Sequence, residues 1–152
     1  MVHDANATKK HKEAGGLELF YRHFKAGQLQ GKLILVVDTD DALLALLKTG
    51  AISESRLDNG TLKYRLSEEQ VLSVQQLPIR SVTFAPTARL NQDMIEQRFG
   101  STDLTIAVGE SVTHYLYPEL GLDVRIDDKG KDLLQYVAPK NFREVHQNIS
   151  PQ

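Results

Sequence analysis

The fold is decided by residues 91–139, NQDMIEQRFGSTDLTIAVGESVTHYLYPELGLDVRIDDKGKDLLQYVAP. Asn91 is a favourable N-cap for a helix that ends at Phe99, and Gly100 is the residue type that most often follows a last helical turn. Short apolar and β-branched runs come next, at 104–108, 112–117, 122–126 and 133–137. Only short turns separate these runs, whereas parallel strands need crossovers of about a dozen residues, so the stretch predicts a helix followed by an antiparallel meander.

Residues 17–90 predict further helices and strands. Leu17, Phe20, Tyr21 and Phe24 recur at helical spacing, so we expect a short amphipathic helix at 17–26. Residues 67–70 have the sequence Ser-Glu-Glu-Gln, a capping-box pattern, and the residues after them suit either a helix or a strand of partial alternation. The other predicted elements are a strand over 32–39, a helix over 41–48, a hairpin with arms at 51–57 and 61–66, and a strand over 78–85.

Together these elements predict an α+β fold, with a mainly antiparallel sheet packed on one side by two or three helices. A length of 152 residues fits one domain. We place that domain at 17–142, between a disordered tail at 1–16 and a frayed tail at 143–152, because both ends are polar and charged. A helix followed by strands occurs at 31–86 and again at 90–142, so the domain is interpreted either as one unit or as two divergent halves.

Composition excludes several classes of protein. The chain has 18 basic and 20 acidic residues, and this balance does not favour nucleic acid as a partner, since such proteins usually carry a basic surface. The absence of cysteine excludes disulfides, thiolate catalysis and cysteine-ligated zinc. No run approaches the roughly 20 apolar residues of a membrane-spanning helix, so no transmembrane segment is predicted in this chain.

The run LILVVDTDD at 33–41 is an apolar strand that ends in acidic residues. It resembles the first strand of response-regulator receivers and the Asp-x-Asp motif of haloacid-dehalogenase phosphatases. No later strand supplies the acceptor aspartate of a receiver. The phosphatase pattern also requires Thr or Val after the acidic residues, but Asp41 and Ala42 stand there. We therefore interpret Asp38, Asp40 and Asp41 as residues that cap a helix and favour its dipole, with a Mg²⁺ or phosphate site as the alternative.

Residue types that carry acid–base or nucleophilic chemistry form no complete motif. None of the five histidines pairs with another at the i, i+4 spacing of a helical zinc site. We expect His114 to be a half-exposed structural residue, with a proton-sensitive contact as the alternative, and His146 to lie in the C-terminal tail. Ser111 follows Gly109, but Thr113 stands where a nucleophile elbow needs glycine. The sequence therefore predicts a protein that is not an enzyme and has no cofactor.

Aromatic residues are concentrated in the last third of the chain. Tyr115, Tyr117, Tyr136 and Phe142 are expected on one sheet face, where they form either the hydrophobic layer against the helices or a contact surface. The candidate partner-binding residues lie on and after the strand at 112–117: Tyr115, Tyr117, Pro118, Glu119 and Leu120.

Three segments of the last third carry a family resemblance: RFGSTD at 98–103, THYLYP at 113–118 and DDKGKDL at 127–133. The helix end, the tyrosine-rich strand and the later Asp-x-x-Gly turn resemble the small SmpA/OmlA (BamE-like) domain and the related β-lactamase-inhibitor-protein modules. The likeness covers about a third of the chain. Thr102 stands where proline is usual, and both the strand tryptophan and the lipobox cysteine of the family are missing.

The resemblance implies a bacterial envelope protein that works by docking to other proteins and has no catalytic residues. The leading hypothesis is thus a non-enzymatic, envelope-associated interaction or assembly module. It would reside in the cell envelope or periplasm if a signal or anchor has been removed, and otherwise in the cytoplasm. The alternatives are a cytosolic regulatory domain that binds Mg²⁺ or phosphate through its acidic cluster, and a small-ligand carrier with an apolar cavity.

Overall fold

A computed structural model describes residues 6–9, 16–58, 60 and 62–146 of the chain, with side chains from Leu17 onward. The helices in these ranges are α1 (Asp41–Thr49), α2 (Glu68–Val74), α3 (Gln92–Phe99) and α4 (Phe142–His146). The strands are β1 (Asn6–Lys9), β2 (Gly16–Ala26), β3 (Leu29–Asp38), β4 (Ser53–Arg56), β5 (Leu62–Arg65), β6 (Ile79–Pro86), β7 (Thr105–Val108), β8 (Val112–Tyr117), β9 (Leu122–Asp127) and β10 (Leu133–Val137). None of the helices in the described ranges is long and apolar enough to cross a membrane.

The strands form two sheets. One has seven strands in the order β2-β3-β6-β10-β9-β8-β7, and the other has three in the order β1-β5-β4. Pairing is antiparallel for β7–β8, β8–β9, β9–β10 and β6–β10, and for β5 with both β1 and β4. The prediction of an α+β fold with a mainly antiparallel sheet is confirmed, as is the meander that follows α3.

The chain divides into two compact units, and the division falls within β2, β3 and β6. The first unit comprises 1–22 and 34–80. Its core is apolar and draws on strands and on both helices of the unit, so burial of these side chains stabilises α1 and α2 against β2, β3 and β5. The core residues are Leu17, Leu19, Val37, Leu44, Leu47, Tyr64, Leu66, Val71 and Val74.

Side-chain caps begin both helices of the first unit. The Asp40 carboxylate accepts a hydrogen bond of 2.7 Å from the Leu43 N–H, which satisfies one of the free donors of the first turn of α1. Ser67 and Gln70 form a reciprocal capping box at α2. The Gln70 amide also donates to the Leu47 carbonyl at 2.9 Å and so ties α2 to the last turn of α1. The predicted helix at 41–48 is confirmed, and the open choice after residue 70 is resolved as a helix.

The predicted helix at 17–26 is wrong, because these residues form strand β2. Leu17 and Leu19 are both buried, at the spacing of two that a strand requires. Gly27 and Gln28 form the turn into β3, and the positive φ of Gly27 (64°) suits a tight hairpin. Pairing with β3 satisfies the backbone hydrogen-bonding groups of these residues. The helical spacing of four apolar side chains does not outweigh this stabilisation.

The second unit comprises 23–33 and 81–152, and its described residues contain the meander, α3 and α4. Asn91 caps α3 by accepting from the Met94 N–H at 2.9 Å, and Gly100 ends it with a φ of 87°. Tyr117, which pairs with Leu122 on one face of β8 and β9, contacts the end of α3. Asp123 points to the other face and is contacted by α4.

Helices in the second unit therefore touch both faces of the sheet, whereas helices on one side were expected. The difference arises from α4, in a stretch where the sequence predicted a frayed tail. Phe142 begins this helix and is buried, and burial of a large aromatic ring stabilises so short a helix. Residues 147–152 of the predicted tail lie outside the described residues.

The predicted N-terminal tail differs in a similar way. Within 1–16, Asn6–Lys9 form β1, whose backbone pairs with Leu62–Arg65 of β5. Backbone pairing of this kind does not need apolar side chains, which explains why composition gave no sign of it. Residues 1–5 and 10–15 lie outside the described residues, as does Asn59 of the predicted hairpin turn.

Gly121 and Gly109 provide a matched test of the meander. Both have a left-handed φ, near 62° and 63°. A Cβ at Gly121 would collide with the Val137 carbonyl oxygen, whereas a Cβ at Gly109 meets nothing. We expect Gly109→Ala to lower the free energy of unfolding by about 1 kcal/mol, because a residue with a Cβ atom is unfavourable in this left-handed backbone conformation. Gly121→Ala should lose about 1–3 kcal/mol more, from overpacking. Urea denaturation measures both losses, and equal losses would contradict the close approach of the Gly121 and Val137 backbones.

Candidate functional site

A buried cluster of three ionisable side chains lies in the second unit. Asp123 is the second residue of β9, between the fully buried Leu122 and Val124, and its side chain is 1% exposed. His114 projects from the neighbouring strand β8, two positions from the residue directly opposite Asp123. His146 is the last residue of α4. Two sheet strands and one helix therefore bring the three groups together.

Asp123 accepts hydrogen bonds from both imidazoles. The Nδ1 atom of His114 lies 2.9 Å from each carboxylate oxygen, and Nε2 of His146 lies 3.1 Å from Oδ2. On its other side, Nδ1 of His146 lies 2.9 Å from the Phe142 carbonyl oxygen. The His146 ring also stacks on the Phe142 ring, with centroids 4.1 Å apart. The cluster thus joins α4 to the sheet through a carboxylate that burial has removed from water.

The arrangement has part of the equipment for acid–base chemistry, since an imidazole held by a carboxylate is a common general base. Within the described residues, however, the hydrogen bonds of both rings run only to Asp123 and to the Phe142 main chain. No hydroxyl group of the described residues is bonded to either ring. What the geometry does directly is fix the position of α4.

Sequence reasoning missed this cluster. The prediction of a half-exposed His114 is wrong, because the residue is buried, and His146 lies in a helix rather than a tail, with its side chain 8% exposed. The available signals were an aspartate inside the apolar run Leu122-Asp123-Val124, and a histidine four residues after Phe142. An acidic residue in a buried strand normally has a partner elsewhere in the chain.

The predicted partner-binding residues lie at the end of β8, but they differ in accessibility. Tyr117 is buried, its hydroxyl donates to the Gly100 carbonyl at 2.8 Å, and Tyr115 is half-buried. Pro118–Leu120 form a short 3-10 turn, on which Glu119 is exposed and Leu120 is 51% exposed. The structure therefore brings these residues together, with the turn rather than the tyrosines facing solvent.

The turn adjoins further elements that carry exposed residues. Pro118–Leu120 contact a second 3-10 turn, Pro139–Asn141, which leads directly into α4. Val145 of α4 is 54% exposed. We call four of the exposed residues of these adjoining elements the turn–helix surface: Glu119, Leu120, Lys140 and Val145.

The three acidic residues of the alternative metal site lie in the first unit. Asp38 accepts from the Arg80 guanidinium at 2.6 and 2.7 Å, and Asp40 caps α1. Asp41 is exposed in the first turn of that helix. Within the ranges that the structure describes, no group of three His, Asp or Glu side chains is arranged to hold a metal ion.

A second buried carboxylate organises the turn that carried the family resemblance. Asp132 accepts from the backbone N–H groups of Leu90 and Asp127 at 2.8 and 3.0 Å, so it ties the start of α3 to the β9–β10 turn. In that turn, burial opposes ionisation of Asp127. The N–H groups of Lys129 and Gly130 and the Arg125 guanidinium outweigh this opposition together and lower the Asp127 pKa.

Comparison with known proteins gives no match, since no protein-family model, curated protein or solved structure is significantly similar to this chain.

Tyr117 provides a test of how β8 is held against α3. Burial, followed by the negative charge of Glu96 and by Tyr115, raises the pKa of Tyr117 above its ordinary value of 10.0. Tyr117→Phe should lower the free energy of unfolding by about 1 kcal/mol near neutral pH, because the Gly100 carbonyl loses its donor. Tyr115→Phe, in the same strand, is the matched control and should change stability less.

The same residue sets a pH dependence. A raised pKa means that the folded chain favours the neutral phenol. The contribution of Tyr117 to the free energy of unfolding is therefore complete below pH 10.0 and is lost as the pH rises through the raised pKa. Denaturation at increasing pH should show a steeper alkaline loss for wild type than for Tyr117→Phe. Parallel curves would contradict the assignment.

Proposed function

We propose that this chain is a non-enzymatic protein-interaction module that docks a partner protein on the turn–helix surface. The observation that carries the proposal is the exposure of Leu120 and Val145 on adjoining elements of the second unit, since exposed apolar side chains of this size are typical anchors of protein interfaces. Glu119 and Lys140 beside them would supply a polar rim of both charges.

The surface is built on a rigid support, which favours binding because little freedom is lost on association. Gly121 follows Leu120 in a left-handed conformation, and its carbonyl accepts from the Val137 N–H at 2.9 Å. Tyr117, which precedes the turn, is fixed by its bond to the Gly100 carbonyl. Both ends of the Pro118–Leu120 turn are therefore anchored in the meander.

We also propose that the module does no catalysis of its own. Support comes from the His114–Asp123–His146 cluster, in which the bond between His146 and Asp123 attaches α4 to the sheet and the bond between His114 and Asp123 joins β8 to β9. A group that holds a helix in place performs a structural role without any substrate.

A location in the bacterial cell envelope is the third part of the proposal. It rests on the resemblance of 98–103, 113–118 and 127–133 to the BamE-like domain. The order α3, β7, β8, β9, β10 agrees with the helix-then-meander arrangement that this resemblance implies. A cytoplasmic regulatory domain that binds Mg²⁺ or phosphate through Asp38, Asp40 and Asp41 is the competing proposal.

Leu120→Glu tests the docking surface. A charge at an apolar anchor should weaken partner binding by about tenfold or more, because anchors typically contribute about 2 kcal/mol. The measurement is capture of proteins from an extract of the source cells on the immobilised chain, followed by the affinity of each captured protein for wild type and variant.

Leu104→Glu is the matched control, because Leu104 is 50% exposed in the same unit but lies outside the turn–helix surface. A partner that binds wild type and Leu104→Glu with the same affinity, and binds Leu120→Glu much more weakly, supports the proposal. Equal binding to all three chains would exclude this surface, and the absence of any saturable partner would count against an interaction module.

Calorimetry with Mg²⁺ discriminates the competing proposal. Asp38 and Asp40 each already use one carboxylate oxygen, on Arg80 and on the Leu43 N–H, and the described residues contain no group of three side chains arranged to hold a metal ion. We therefore expect no saturable heat, and the same thermal stability with and without millimolar Mg²⁺. A saturable heat in wild type that Asp38→Asn abolishes would favour the regulatory domain instead.

A further inference from the structure

We propose that β7 is a docking edge for a second copy of this chain, and that two copies pair antiparallel along β7 around a two-fold axis at Ile106. The contact would join the meanders of the two copies into one continuous sheet. It uses none of the residues of the turn–helix surface and does not rest on the proposed function.

The first argument is that β7 presents unpaired backbone groups at the edge of its sheet. It is the last strand of the seven-stranded sheet and, among the described residues, pairs only with β8. The Leu116 N–H of β8 donates to the Leu104 carbonyl at 2.9 Å. Along an antiparallel pair, residues that exchange hydrogen bonds alternate with residues whose groups point away. Alternation from this bond points the N–H and C=O groups of Thr105 and Ala107 out of the sheet.

The outer side of β7 is accessible, and the strand is firmly attached on its inner side. Thr105 and Ala107 are exposed. The Thr102 hydroxyl donates to the Leu116 carbonyl at 2.7 Å and accepts from the Leu104 N–H at 3.1 Å, so the start of β7 is held to β8. An ordered edge strand with open N–H and C=O groups is a template for a further strand.

The sequence of β7 also lacks the features that protect edge strands. Such strands usually carry charged side chains, proline or a bulge. Residues 104–108 are Leu-Thr-Ile-Ala-Val, with no charge, proline or glycine. The strands at the other ends of the two sheets all contain charged residues: Glu18, Arg22 and Lys25 in β2, Lys9 in β1, and Glu54 and Arg56 in β4. Of the edges in the described residues, β7 is therefore the one whose sequence permits a further strand to pair.

The occupant we infer is a second copy, because residues 104–108 complement their own reverse. Pairing through the outward groups sets Thr105 opposite Ala107 of the second copy, and Ile106 opposite itself. Leu104 then lies opposite Val108, on the same face of the sheet as Ile106. Every cross-strand pair is uncharged, and aliphatic and β-branched pairs of this kind stabilise adjoining strands. The outward N–H and C=O groups of both copies would all gain partners.

The charges at the ends of this segment limit the strength of the contact. Asp103 and Glu110 flank residues 104–108 and are exposed. In the proposed register, Asp103 lies opposite Gly109 of the second copy and therefore next to its Glu110. Repulsion between exposed carboxylates is small and is screened by salt. A contact over so short a strand is also smaller than a standard interface, so we expect a reversible dimer that salt favours.

Amide hydrogen exchange of the full chain, followed by NMR at roughly 20 µM and roughly 1 mM protein, tests the contact. The Ile106 N–H faces β8 by the same alternation and should be protected at both concentrations. The Thr105 and Ala107 N–H groups should exchange freely in the dilute sample and about threefold more slowly, or slower still, in the concentrated one. Sedimentation of the same samples measures the fraction of dimer, which should rise with protein and with NaCl concentration.

Two variants should weaken the dimer. Thr105→Pro removes an outward N–H at a position where an edge strand tolerates proline, and it should weaken association about tenfold or more, because the two-fold axis removes the bond twice. Leu104→Glu replaces a side chain that is 50% exposed. It removes the apolar pair with Val108 of the second copy and adds a negative charge near its Glu110, so it should also weaken association.

Two further variants complete the design. Glu110→Lys replaces the repulsion with Asp103 of the second copy by attraction at both ends of the contact, and should tighten the dimer by about threefold. Leu120→Glu is the matched control for Leu104→Glu, since Leu120 is 51% exposed in the same unit but lies on the turn–helix surface. It should leave association unchanged. Loss of self-association in Leu104→Glu without loss of partner docking separates this contact from the proposed function.

A chain that stays monomeric at the higher concentration would overturn the proposal. So would a dimer in which the Thr105 and Ala107 amides exchange as fast as in the monomer, or one that Leu104→Glu and Leu120→Glu weaken equally. Protection of these amides only after addition of a cell extract would assign the edge to another protein and would overturn the proposal as well. Because Leu104→Glu alters an exposed side chain, it decides the matter even if Thr105→Pro fails to fold.

Discussion

Burial of the Asp123 carboxylate is the constraint on which the second unit depends. An ionised carboxylate without partners is too costly to remove from water, so a fold that places one at 1% exposure must supply donors from somewhere. Here one donor comes from the neighbouring strand and the other from a helix that follows β10. The need to satisfy Asp123 therefore gives a physical reason for α4 to cover this face of the sheet. Among the described residues no buried side-chain nitrogen or oxygen lacks a partner.

The same logic recurs at Asp132, and together the two carboxylates define the ends of β9. Asp132 binds backbone N–H groups before α3 and at the end of β9, while Asp123 lies near its start. Gly121 then permits the sharp approach of its backbone to Val137. The turn–helix surface is consequently carried by polar anchors and one glycine, and its apolar residues are left free of core packing.

Much of the fold was predictable because local signals were strong. Asn91 and Gly100 bracket α3, Ser67 and Gln70 form the expected capping box, and the turns after 108, 117 and 127 dictated a meander. The failure at β2 has a specific cause. Leu17, Phe20, Tyr21 and Phe24 fit a helix, while Leu17 and Leu19 fit a strand, and only pairing with β3 decides between the two periods. The acidic run at 38–41 was interpreted correctly as a helix start, because Asp40 does cap α1.

The buried cluster could not be predicted in the same way. His114 and His146 lie 9 and 23 residues from Asp123, and no spacing rule connects a strand to a helix that pairs with it only in three dimensions. α4 has only five residues, so its stability comes from burial of Phe142 and from the carboxylate rather than from helix propensity. Among the predicted partner-binding residues, alternation alone did not show that Tyr117 is buried while Leu120 is exposed.

The most direct measurement of the central claim is the coupling free energy between His146 and Asp123. A double-mutant cycle built from Asp123→Asn, His146→Gln and their combination, measured by urea denaturation at about pH 6, isolates the interaction from the other effects of each change. If the carboxylate holds α4 through His146, the coupling should be about 1 kcal/mol or more. A coupling within about 0.3 kcal/mol of zero at acid pH would contradict the account.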